Sequence, residues 1–76
     1  MNTTLIRFEK QVDLGPTYAA RLLGVAYPTY AQYRSGRRSL PQYHRNHIDA
    51  LLALSPEALR RQIETYAYVR SKASKR

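Results

Sequence analysis

Apolar residues recur at helical spacing along most of this chain, and prolines and glycines divide the pattern into short segments. Leu59, Ile63 and Tyr66 lie at i, i+4 and i+7, which predicts one buried face on a last helix over about 56–70. Ser55 precedes this helix as a capping residue. Earlier helices are predicted over about 16–23, 28–35 and 42–54. The pattern therefore predicts an all-α domain of four or five helices.

Segment 16–41 has the spacing of a helix-turn-helix. Ala20 lies four residues before Gly24. The small side chain of Ala20 lets the two helices cross closely, and Gly24 lets the turn adopt a positive φ. Tyr30 and Tyr33 follow three residues apart, on one face of the second helix. Together with the later helices, this motif predicts a core of Ala20, Leu23, Val25, Tyr30, Tyr33, Ile48, Leu51, Leu52 and Leu59.

The first thirteen residues do not show one clear period. Leu5, Phe8 and Val12 fit a helix, whereas Ile6 and Phe8 fit the alternation of a strand. Since the two patterns compete, we expect this segment to be irregular and loosely held in the free protein.

The breaks in composition predict three parts. Gly15-Pro16 ends the first segment, and SKASKR at the end of the chain is polar and basic. We expect an N-terminal segment over 1–15, a helix-turn-helix helical domain over 16–70, and a short disordered basic tail over 71–76.

Charge is the strongest compositional signal. The 76 residues carry 13 basic and 5 acidic side chains, a net charge of +8, which favours an anionic partner such as DNA, RNA or an acidic protein surface. There is no cysteine, and His44 and His47 alone are a poor metal site. With no nucleophile motif, carboxylate pair or glycine-rich loop, we expect no enzyme activity, cofactor, metal or small-molecule substrate. No apolar run is long enough to predict a membrane partner.

The second motif helix and the residues after it supply candidate nucleic-acid contacts. Gln32 is the one good reader of base edges among them, and Arg37 and Arg38 suit phosphate. We therefore expect weak, salt-sensitive DNA binding without strong sequence preference. A solvated helix face is the alternative, which the two arginines disfavour. The candidates are Tyr27, Thr29, Gln32, Arg34, Arg37 and Arg38.

Two family resemblances bear on function. Residues 33–41, YRSGRRSLP, resemble the end of the recognition helix in Cro-like phage repressors, which implies a dimeric operator-binding protein. From MNTTLIRFEKQVDLGPTYAARLLGV through YAQYRSGRRSLPQYHRNH, the chain also resembles small helix-turn-helix-like proteins of lytic Xanthomonas phages that bind host RNA polymerase.

The second resemblance implies a transcription regulator in the host cytoplasm. Its family blocks transcription initiation and promotes antitermination, through contact with the polymerase β′ N-terminal region and β flap near the RNA exit channel. It also makes the N-terminal segment a main contact. On this chain that segment offers Leu5, Ile6 and Phe8 for apolar contact, and Arg7 and Lys10 for acidic groups.

Both functions stay open at this point. Polymerase binding accounts for the unusual N-terminus and the weak reading helix, and we favour it. The repressor function accounts for the motif and the charge, although a basic protein also suits an acidic polymerase with nascent RNA nearby. Inhibition of another host nucleoprotein is a third possibility.

Overall fold

The structure, a computed structural model, describes residues 2–68 of the chain. Within that range the protein is all-helical, with five α-helices, a π-helical turn and no β-strand, as predicted. The helices are α1 (Thr3–Val12), α2 (Pro16–Leu23), α3 (Tyr27–Ser35), α4 (Gln42–Leu52) and α5 (Pro56–Gln62), and the π-helical turn spans Ile63–Ala67. Across these residues, no helix has the length and apolar character needed to cross a bilayer. The predicted tail over 71–76 lies outside the described residues.

Helix α1 shows that the prediction of an irregular N-terminal segment is wrong. The Asn2 side chain caps this helix, accepting a hydrogen bond from the Leu5 N–H at 3.2 Å. Leu5, Phe8 and Val12 are buried, so the helical period prevails over the alternating one. Helix α1 contacts α2, α3 and α4. The segment over 1–15 is therefore part of the helical domain where it is described.

Helices α2 and α3 are joined by a three-residue turn, and their bounds agree with the predicted ones. Gly24 has φ of 83°, and its N–H donates to the Ala20 carbonyl at 2.9 Å, which ends α2. An added Cβ at Gly24 would meet no atom within 4 Å, so its backbone conformation rather than space requires glycine here. Gly36 ends α3 in the same left-handed conformation.

The last two helices begin near the predicted residues. Helix α4 follows Pro41, and the Ser55 hydroxyl accepts a hydrogen bond from the Ala58 N–H at 3.2 Å to cap α5. Helix α4 ends two residues earlier than predicted, at Leu52.

The π-helical turn changes which residue faces the core. The Tyr68 N–H donates to the Ile63 carbonyl at 3.2 Å, a five-residue step that rotates the chain relative to an α-helix. As a result Ala67 is buried, whereas Tyr66 is 52% exposed. The prediction that Tyr66 belongs to the core is wrong for this reason. The Arg21 guanidinium donates to the Ala67 carbonyl at 3.5 Å, linking the turn to α2.

Most of the predicted core is confirmed. Ala20, Leu23, Tyr30, Tyr33, Ile48 and Leu51 are buried, and Val25, Leu52 and Leu59 are partly buried and pack against them. The core also includes residues outside the predicted set, namely Leu5, Phe8, Val12, Ala19, Leu22, Leu40 and Ala67. Helix α1 therefore supplies a substantial share of the buried apolar surface.

Enlarging a core alanine on α2 tests this packing. Ala20 is 1% exposed, so Ala20→Leu should overpack the core and lower the free energy of unfolding by about 1–3 kcal/mol. Thermal and urea denaturation would measure the loss. Ala50→Leu, at an exposed position of α4, is the matched control and should melt near the wild-type temperature. Equal melting of wild type and Ala20→Leu would contradict the packing described here.

Candidate functional site

A buried carboxylate links α1 to α3. Glu9 is 7% exposed, and its Oε2 accepts hydrogen bonds from the Tyr30 hydroxyl at 2.7 Å and from Arg34 Nε at 2.8 Å. Arg34 Nη2 donates to Glu9 Oε1 at 3.1 Å, which completes a two-pronged ion pair. The Asn2 N–H also donates to the Arg34 carbonyl at 2.9 Å. Both ends of α1 are thus tied to α3.

The network changes the pKa of Tyr30 and of Arg34. The hydrogen bond to Glu9 raises the pKa of the Arg34 guanidinium above its already high value. Burial, and then the hydrogen bond to Glu9, raises the pKa of the Tyr30 hydroxyl above its ordinary value. Tyr30 therefore stays a hydrogen-bond donor, and Arg34 a cation, throughout the physiological range.

Arg34 has a structural role that the sequence pattern did not predict. One edge of its guanidinium, formed by Nε and Nη2, is taken by the Glu9 carboxylate, so its charge is paired inside the protein. Its side chain is 31% exposed. Arg34 is therefore not an unpaired cation that extends toward phosphate. The ion pair crosses 25 residues of sequence, and no local pattern signals it.

The other predicted residues of α3 lie on its accessible surface. Tyr27 is 48% exposed at the start of the helix, and Thr29 and Gln32 are half-buried. The Gln32 side-chain oxygen accepts a hydrogen bond from Arg38 Nη1 at 3.5 Å, and the Gln32 carbonyl accepts one from the Arg38 N–H at 3.2 Å. The side-chain oxygen of the one good base reader is therefore in contact with the loop that follows it, through a long and exposed hydrogen bond.

The loop after α3 is the most accessible basic part of the predicted surface. Arg37 and Arg38 are both exposed. The Arg38 guanidinium carbon lies 5.7 Å from the centre of the Tyr33 ring, within the range of a cation–π contact. This contact positions the Arg38 side chain, whose Nη1 also donates to Gln32. The remaining N–H groups of this exposed guanidinium are available to a ligand.

Two aromatic residues of α4, absent from the predicted site, extend this surface. The His44 ring centre lies 5.7 Å from that of Tyr33 and 4.5 Å from that of Tyr43. Tyr43 is 68% exposed. We define the row formed by Arg38, Tyr33, His44 and Tyr43 as the aromatic row. The feature of the sequence that could have indicated this row is the short separation between Arg37-Arg38 and Tyr43-His44.

The residues predicted to bind polymerase divide between two faces of α1. Leu5 and Phe8 are 0% exposed, so the prediction that they form a docking surface is wrong. They lie on the face that packs into the core. Arg7 and Lys10 are exposed and Ile6 is half-buried, on the other side of the same helix.

An open groove borders this outer face of α1. Its volume is about 420 Å³, and the residues that line it are Ile6, Glu9, Lys10, Asp13, Leu14, Gly15 and Arg34. Within residues 2–68, no group of three or more metal-ligating side chains is brought together.

Comparison of the chain with protein-family models, with curated proteins and with solved structures finds no match.

Substitution of Arg34 tests whether its role is internal. Arg34→Ala leaves the Glu9 carboxylate buried without its charged partner, so the free energy of unfolding should fall by about 1–3 kcal/mol. Arg37→Ala removes the same charge from an exposed loop and should change stability by less than about 0.5 kcal/mol. Urea denaturation of the two variants gives the comparison. Equal losses would show that the ion pair contributes nothing specific.

Proposed function

We propose that this protein is a phage transcription regulator that binds the RNA polymerase of its bacterial host near the RNA exit channel. In this proposal it contacts the β′ N-terminal region and the β flap, inhibits initiation and promotes antitermination, and it acts in the host cytoplasm as a non-enzymatic binding protein. The family resemblance, which covers most of the chain, suggests this function, and one structural observation supports it over operator recognition.

That observation is the shortage of free base-reading groups on α3. Arg34 is paired with Glu9, and Gln32 is hydrogen-bonded to Arg38. What remains at the start of the helix is Tyr27 and Thr29, which discriminate poorly between base edges. A domain with this arrangement suits a protein target, or nucleic acid without sequence selection, better than one operator.

The outer face of α1 is the docking surface that the structure leaves available for such a target. Arg7 and Lys10 project from it, Ile6 offers apolar area, and the adjoining groove can accept a partner side chain. Rim cations of this kind mainly speed encounter with an acidic partner, while apolar contact contributes to residence time. Leu5 and Phe8 support this surface from beneath rather than forming it.

A Cro-like operator-binding repressor is the second candidate, and one observation favours it. In repressors of this type the first helix is a regular structural element, and α1 is regular and packed here. Exposed Arg37 and Arg38 directly after α3 also suit phosphate contact.

Binding to purified Xanthomonas RNA polymerase tests the proposal. The double variant Arg7→Ala and Lys10→Ala should bind at least about fivefold more weakly, because it loses two cations at the docking surface. Terminator readthrough in vitro should fall in parallel. The double variant Arg60→Ala and Arg61→Ala removes the same charge from exposed positions on α5 and should keep wild-type affinity.

Two results would contradict polymerase binding by this surface. One is wild-type affinity in the α1 variant. The other is no complex with polymerase together with nanomolar, highly selective binding to one operator, which would establish the repressor function.

A further inference from the structure

We propose that the aromatic row and the basic loop form a binding site for single-stranded nucleic acid, in which Tyr43 stacks on an unpaired base and Arg37 and Arg38 contact phosphates. The site is formed by α4, Tyr33 and the loop after α3, and it uses none of the α1 residues assigned to polymerase. It requires no polymerase, so either proposal can fail without the other.

The aromatic row is a continuous series of contacts that ends in solvent. It begins at Arg38 over Tyr33, passes through His44, and reaches Tyr43 with centre-to-centre steps of 5.7 and 4.5 Å. Tyr33 is buried and holds the row in place, whereas Tyr43 is the most exposed of the large apolar side chains in the described range. An exposed ring that is in contact with a second ring can offer a face on which a base stacks.

The charge around the row complements a phosphate backbone. Residues 35–48 contain Arg37, Arg38 and Arg45 and no aspartate or glutamate. Arg37 and Arg38 are exposed, so their charges can neutralise phosphates that flank a stacked base. Arg45 is partly engaged, because its Nη1 donates to the Thr4 hydroxyl at 3.4 Å.

The His44 ring contributes aromatic area rather than charge at neutral pH. Burial lowers the pKa of His44, and the nearby His47 lowers it further, so the imidazole is neutral at pH 7. A neutral ring beside Tyr43 adds to the apolar surface on which a base can rest.

The geometry favours an unpaired strand over a duplex. Bases in a duplex already stack on one another, and their faces are closed to Tyr43 unless the helix opens. A groove reader would need free donors and acceptors on α3, where Arg34 and Gln32 are already engaged. Stacking and phosphate contact are indifferent to sequence, so we expect weak selectivity among bases.

A tryptophan reporter tests stacking directly. The chain contains no tryptophan, so Tyr43→Trp introduces a single indole at the proposed site. Short oligouridylate and oligothymidylate should quench its fluorescence on binding, and a duplex of equal length should quench it much less. Tyr66→Trp, at a tyrosine that is also about half exposed but lies in the π-helical turn, is the matched control and should respond little.

Affinity measurements separate stacking from charge. By fluorescence anisotropy with labelled oligouridylate, Tyr43→Ala should bind at least about fivefold more weakly, and Tyr43→Phe should stay within about twofold of wild type. Tyr66→Ala should bind as wild type. The double variant Arg37→Ala and Arg38→Ala should reduce the salt slope by about 1.4, whereas Arg60→Ala with Arg61→Ala should leave it unchanged.

Comparison of oligouridylate with oligothymidylate shows whether the site distinguishes RNA from DNA. Equal affinity for both means that only base faces and phosphates are read, while tighter binding of oligouridylate assigns a contact to the ribose 2′-hydroxyl. The proposal is overturned if no oligonucleotide binds at about 50 mM salt. It is also overturned if Tyr43→Ala binds as wild type, or if the duplex binds as tightly as the single strands. Circular dichroism confirms that each variant is folded.

Discussion

The buried carboxylate of Glu9 is the constraint on which the rest of this small domain depends. A charge at 7% exposure must be compensated, and both Tyr30 and Arg34 turn toward it from α3. These contacts help to fix the position of α1, because the same placement buries Leu5, Phe8 and Val12 in the core. They also pair the Arg34 charge within the protein and so shape the surface left for ligands.

The pairing of Glu9 with Arg34 also affects which surfaces of the molecule carry unpaired positive charge. Pairing Arg34 internally leaves α3 poorly equipped to read bases, while α1 keeps Arg7 and Lys10 outward and the loop keeps Arg37 and Arg38 outward. Two basic surfaces result, one beside an open groove and one beside the aromatic row. A regulator that contacts a protein and a nucleic-acid strand at once would need two such surfaces.

Features that neighbouring residues determine could be predicted from the sequence. Features that depend on residues far along the chain could not. Pro16, Gly24 and Gly36 mark helix ends through their own backbone preferences, and those bounds were predictable. Helix α1 was missed because the choice between its two periods depends on core partners elsewhere in the chain. The Glu9 contacts with residues 21 and 25 positions away, and the rotation introduced by the π-helical turn, have no local signature.

Native-state hydrogen exchange of the free protein measures most directly whether α1 is an integral helix. If α1 is integral, its amides over 8–12 exchange only through global unfolding, with the same free energy as the central amides of α3 and α4. Arg34→Ala should lower the free energy of exchange in all three helices together. Rapid exchange across α1, while α3 and α4 stay protected, would show that α1 detaches independently and is not an integral helix.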